Sequence, residues 1–397
     1  MKRLRDAGAV IIAKANLSEF ASGPAFSSLG GQTRNPHDPL RTPSGSSGGT
    51  GAAVAAGFAT FGLGTDTGGS IRGPSTVNGI AGLKPTLGLL SRDGIIPLAL
   101  SFDTGGPMAR SVSDIAVVLG ILAGVDPADT VTARSTGRFE RDYTKYLNAG
   151  ALQGARIGVA RDFMGHDAEV DWVMEASLAA MRAAGTTLVD VRLPKWLLDV
   201  KGEFYSAMRY PEFAVQVEQY LLTLKPGLPR TLAELRTRAD LVVSPRADGA
   251  GPNAPRWNLF KRELNSGTLT DPQYVAVRTH ALQLVRDVLD GLVSAHALDA
   301  MVYPTGSKRP DFISAPPEPP GGGSASGSNL ANLSGWPDLV VPAGFTSDRL
   351  PVGISFMGPA FSEGKLLSLG YAFEQRTQAR RLPAHTPALP GQLLRVK

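Results

Sequence analysis

Glycine placement constrains this chain more than any other feature. Between Pro43 and Gly94 stand 14 glycines in 52 residues, out of 46 in all 397. Glycine inside packed structure usually marks positive φ or a close backbone approach. Linkers are also rich in Gly and Ser. Here the glycines alternate with apolar pieces such as AAVAAGFATFGLG (52–64), so packed loops are expected rather than a flexible tether. No Gly-X-Y period runs through the segment, which excludes a collagen-like chain.

Composition narrows the chemistry. Apolar residues make up 43% and charged residues 19%, enough for a buried core. There is no cysteine, which excludes disulfide scaffolds, thiolate-bound metals and thiol nucleophiles. The net charge of +5 is small and no run of basic residues appears, so nucleic acid is not an expected partner. The apolar patch at 7–13 is short and interrupted by Lys14, unlike a secretory signal. No stretch of about 18 apolar residues is present, so no membrane span is expected. A cytoplasmic protein is the default expectation.

Periodicity predicts an α/β chain. Strands are expected at 8–13, 156–160, 187–191, 299–303, 339–341 and 352–356. Helices are expected at 51–58, 113–123 (capped by Ser113), 167–184, 196–222, 231–240, 272–295 and 365–376, the last opened by Ser362. The stretch from 241 to about 256 and PPEPPGGG (316–323) read as loops. Strand–helix alternation argues for a single α/β/α unit, its mixed central sheet flanked by helices. Three regions are expected: 1–125 with the Ser/Gly loops, a less glycine-rich and more helical 126–297 that reads as a subdomain or cap, and 298–397.

Several nucleophile motifs fail on context. The five histidines form no zinc-binding spacing. Gly45-Ser46-Ser47-Gly48-Gly49 fits G-x-S-x-G, but a loop precedes it where the elbow needs a strand. There is no phosphate-binding P-loop. Two Ser/Gly clusters remain, Pro43–Gly51 and Gly64–Arg72. Thr67-Gly68-Gly69-Ser70 offers successive backbone N–H groups with little side-chain bulk, suited to an anion or a developing oxyanion. A serine at its end is placed to attack a carbonyl, with Asp66 and Arg72 available to pair and fix the loop. On residues alone, two tight turns packed on helices explain the same pattern.

The run from PSGSSGG (43–49) through GTDTGGSIRGPSTVNGIAGLKPT (64–86) resembles the amidase signature family of serine hydrolases. GAVIIAKANLSEFA (8–21), LDAMVYPT (298–305), NLANLSGWPDLVVPAGF (329–345) and LPVGISFMGPAFSEGKLLSLGYAFEQ (350–375) also resemble it, and several blocks look closest to its peptide-amidase-like branch. The resemblance implies a Ser–cis-Ser–Lys triad and acyl transfer on a carboxamide. Ser70 is then the nucleophile and Ser46, preceded by a cis peptide bond, the proton relay. The N–H groups of Thr67, Gly68, Gly69 and Ser70 form the oxyanion hole, with Ser47, Asp66 and Arg72 supporting the loops. No metal or cofactor is implied; the partner is a small-molecule amide, with room for a homodimer.

One element of the pattern is unmatched. The family's catalytic Lys lies upstream of the bridging serine, and the 45 residues before Ser46 contain no equivalent. Lys14 matches a later stretch and Lys84 a structural one. The resemblance therefore implies a family pattern that starts before Met1. The alternatives are a shortened homologue with weak, altered or no activity, or an amidotransferase subunit of a tRNA-dependent complex. The last is disfavoured by Gly73, where that branch often carries Gln.

Overall fold

The computed structural model describes residues 1–23, 25–241, 253–314 and 326–386. An eight-stranded sheet organises it. The strands are β3 (Phe61–Asp66), β4 (Ala81–Lys84), β5 (Thr104–Ala109), β6 (Arg156–Ala160), β7 (Thr187–Val191), β8 (Ala300–Pro304), β9 (Asp338–Phe345) and β10 (Pro351–Met357), in the order β3-β5-β4-β9-β10-β8-β6-β7. Antiparallel pairing runs from β3 to β8, and the last two pairings, β8 with β6 and β6 with β7, are parallel. The sheet is mixed, as expected. A separate ribbon pairs β1 (Phe26–Ser27) with β2 (Gly31–Gln32).

Helices cover both faces. On one face, α4 (Val112–Leu122), α5 (Ala168–Ala183) and α12 (Glu363–Thr377) close a core over Ile157, Val302, Leu339, Val341, Ile354 and Phe356. On the other, α6 (Lys195–Leu222), α10 (Leu282–Ala295) and α11 (Ser328–Ser334) pack with Met301, Tyr303 and Met357. Side chains alternate across a strand, so Ala300 and Val302 of β8 enter the first core while Met301 and Tyr303 enter the second. Burial on both faces explains why AMVYP and PVGISFM read as unbroken apolar runs.

The periodic elements formed close to their expected limits, and four details differ. Residues 8–13 are not a strand: no described strand pairs with them, and Val10 and Ile12 are 84% and 65% exposed. The cap of α4 is Ser111, whose hydroxyl accepts the Asp114 N–H, not Ser113. Ser362 precedes α12 without a capping hydrogen bond from its side chain. The run 272–295 is interrupted by a π-helical turn, Val277–Ala281, between α9 (Pro272–Ala276) and α10. Residues 242–252 of the expected loop at 241–256 lie outside the described residues, and its last three residues are instead the start of a helix, 254–264, capped by Asn253; the expected loop at 316–323 lies wholly outside the described residues. The remaining helices are α1 (Lys2–Asp6), α2 (Gly48–Ala55), α3 (Arg72–Val77), α7 (Leu232–Asp240) and α8 (Ala254–Leu264).

Candidate active site

The two Ser/Gly clusters meet where β3 ends and α2 and α3 begin. Ser47 stitches them together. Its buried hydroxyl accepts from Thr65 N–H (3.1 Å) and donates to the Thr65 carbonyl (3.2 Å), while its own N–H donates to the Ser70 carbonyl (3.2 Å). Ser46 therefore lies on a segment adjoining Ser70. The Gly45–Ser46 peptide bond is cis. Ser70, Gly68, Gly69 and Gly45 line a cleft of about 350 Å³, whose far wall carries Thr305–Asp311 and Ser328.

Beneath the Gly68–Ser70 loop sits a fully buried ion cluster. Arg72 employs all five of its N–H donors: Nε and Nη2 reach Asp66 at 3.0 Å, Nη1 reaches Asp338 (2.8 Å) and the Ser328 carbonyl (2.6 Å), and Nη2 also reaches Asn332 (2.7 Å). Asp66 accepts in addition from Ile71 N–H and Asn332. Burial opposes its charge, but the Arg72 guanidinium and these donors hold its carboxyl well below the usual range. The loop is pinned from its other side by Thr67, whose hydroxyl donates to Asp103 (2.5 Å).

Gly69 departs from its expected role. Its N–H donates to Asp66 Oδ1 at 2.8 Å and so points into the ion cluster. The N–H groups of Thr67, Gly68 and Ser70 make no hydrogen bond among the described residues. They are the unengaged donors of the loop, the kind of group an oxyanion takes. Gly69 is at φ +124°, and a Cβ there would stand 3.1 Å from Ser328 Oγ, so the turn needs glycine.

The hydroxyls of Ser46 and Ser70 also make no hydrogen bond among the described residues, and no described ammonium reaches Ser46. Lys84 donates to the Pro85 and Trp336 carbonyls (2.9 and 2.7 Å), and burial lowers its pKa to about 7. Lys14 is exposed. Asn332, Asp338, Asp103 and Ser328 belong to the site without any clear mark in the sequence. Asn332 and Asp338 lie within the NLANLSGWPDLVVP stretch, and their only signal is polar residues in an otherwise apolar run.

The amidase family profile matches residues 1–367. The chain belongs to the amidase signature family. Members of this family act on the C–N bond of amides, and the mixed sheet with flanking helices is the fold of its solved relatives. A glutamyl-tRNA(Gln) amidotransferase subunit of Cupriavidus taiwanensis is 36% identical over 395 residues, 95% of this chain and 76% of its own. Native peptide amidase from Stenotrophomonas maltophilia is 39% identical with TM-score 0.83, covering 96% of this chain and 77% of its own. The corresponding glutamyl-tRNA(Gln) amidotransferase subunit of Thermotoga maritima is 28% identical with TM-score 0.75, over 96% and 78%. Among the described residues of this amidase-family chain, no His, Asp or Glu group is arranged to hold a metal, and no helix is long and apolar enough to cross a membrane.

Proposed function

We propose that the chain is a cytoplasmic amide hydrolase that works through an acyl-enzyme on Ser70. The observation that carries this reading is the cleft-lining Ser70 on a loop with three unengaged N–H groups, held by the Asp66–Arg72 cluster. The Ser70 oxygen forms a bond to the carboxamide carbon while its proton passes to Ser46. The carbonyl oxygen gathers negative charge against the Gly68 and Ser70 N–H groups. The C–N bond breaks as Ser46 delivers a proton to the departing nitrogen. Water then attacks the ester, and Ser70 regains its proton. Ser47, Asp66 and Arg72 hold the loops and touch no reacting atom. The 126–297 region bears on the site through Tyr205, whose hydroxyl lies against Gly68.

Two observations favour rival readings. The bridging serine lacks an ammonium partner among the described residues, which supports a weak or inactive homologue. The identity to amidotransferase subunits supports a role in delivering ammonia to partner chains. A fluorophosphonate probe followed by peptide mass spectrometry separates the first: adduct on Ser70, absent in Ser70→Ala, is expected. Ser46→Ala is expected to lower kcat/KM on C-terminal peptide amides by about 10²–10⁴-fold. No adduct on a folded full-length version counts against the acyl-enzyme reading and for an inactive homologue. Ammonia release that occurs only from glutamine and only with partner subunits present would establish the amidotransferase reading instead.

A further inference from the structure

On the other side of α11 lies a second cavity, of about 380 Å³, which shares no lining residue with the Ser70 cleft. Four arginines line it, Arg92, Arg134, Arg278 and Arg286, against one carboxylate, Glu212. Glu212 is already saturated. It accepts from Ser101 N–H (3.0 Å), Ser101 Oγ (2.5 Å), Gln216 (3.2 Å) and Tyr274 (2.9 Å). Arg92 is paired with Asp129 at 2.7 Å. The other three guanidiniums form no ion pair among the described residues. Arg278 donates to the Tyr274 hydroxyl (3.0 Å) and Arg286 to the side-chain amide oxygen of Gln283 (2.9 and 3.2 Å), both neutral acceptors. The Arg134 side chain has no polar partner among the described residues.

Arg134 and Arg278 are exposed and Arg286 is half-buried, so all three are accessible from solvent. Burial and the Arg134 charge both push the Arg286 guanidinium towards losing its proton, and Asp287 and Asp290 on the same helix only partly oppose this. The π-helical turn Val277–Ala281 carries Arg278 into the cavity wall, and such turns recur at functional sites. Guanidiniums present planar pairs of donors that match carboxylate and phosphate oxygens. The volume suits a small molecule.

We infer that this cavity is a binding site for a small oxyanion, a phosphate- or carboxylate-bearing molecule held by Arg134, Arg278 and Arg286. The cavity touches the Ser70 site only through Asn332, which also lines it, and its test needs no turnover. The full chain is titrated with inorganic phosphate and, separately, with citrate, against sodium chloride at equal ionic strength, by calorimetry and thermal shift. Saturable binding of either anion is expected, and the anion that saturates at the lower concentration identifies the source. The Arg134→Ser/Arg286→Ser double variant, altered at surface-accessible positions, is expected to bind at least about tenfold more weakly. Arg182→Ser, on the exposed face of α5, is expected to bind as the parent does. Arg134→Lys/Arg286→Lys keeps the charge but loses the planar donors, and is expected to fall between. No saturation beyond the chloride control, or undiminished binding by the folded double variant, overturns the inference.

Discussion

Arg72 has no exposed atom and no spare donor, and its partners come from β3, α11 and β9. Removing it leaves Asp66 and Asp338 buried without the guanidinium they are bonded to, with only the Lys84 ammonium nearby. Arg72→Met is therefore expected to cost about 3–5 kcal/mol, read from urea unfolding. Arg72→Lys is expected to recover little, because an ammonium cannot donate in five fixed directions. A loss under about 1 kcal/mol for either variant contradicts this account. Part of this cluster is visible in the sequence. Asp66 and Arg72 stand six residues apart around the Gly/Ser loop, so their pairing is a local inference. Asn332 and Asp338 are joined to them only by folding, and nothing in their own neighbourhood indicates an arginine partner. The Gly69 N–H departs from expectation for a related reason: residue type shows that a donor exists, whereas its direction depends on where the Asp66 carboxylate settles.

Element ends and element interiors are legible to different degrees. The α4 sequence SVSD offers two serines as caps, and the hydroxyl that accepts the Asp114 N–H is Ser111. Ser111→Ala is expected to lower stability by about 1 kcal/mol, and Ser113→Ala by no more than about 0.5 kcal/mol, in thermal or urea unfolding. Equal losses would remove the basis for choosing between them. Strands β6 and β7 are located to the residue because apolar runs with clear ends mark them. Strands β3 and β5, FGLGTD and TGGPMA, show no alternation, since glycines occupy the positions where side chains would reveal it. Those glycines serve contact. A Cβ on Gly106 would lie 2.1 Å from the Leu83 carbonyl oxygen. Conversely, VII at 10–12 has strand composition without a strand, because pairing depends on a neighbour and not on composition alone.

Stability of the whole molecule sums over its titrating groups, and two buried ones act in opposite directions. Burial lowers the His37 pKa from 6.5 to about 4, so between those values the unfolded chain takes up a proton the folded one refuses. Stability from this group is lost as pH falls from 6.5 to about 4. Burial pushes the Glu374 carboxyl up to about 7, so its contribution falls as pH rises from 4.5 to 7. Comparing the parent with His37→Gln cancels the Glu374 part. Urea midpoints are expected to converge as pH falls through that window, and parallel midpoints from pH 7 to 4 would exclude the His37 assignment.

The order of the sheet also has a history in time. The early strands β3, β5 and β4 join the rest of the sheet where β4 pairs with β9, and Arg72 finds Asn332 and Asp338 only 260 and 266 positions later in the chain. At roughly 5–20 residues per second, a ribosome needs roughly 15–50 s to cover that distance. Throughout that interval the nascent chain carries the Ser70 loop without the strand and helix that set its shape, so the half of the molecule bearing the two Ser/Gly loops is made early and takes its final form late.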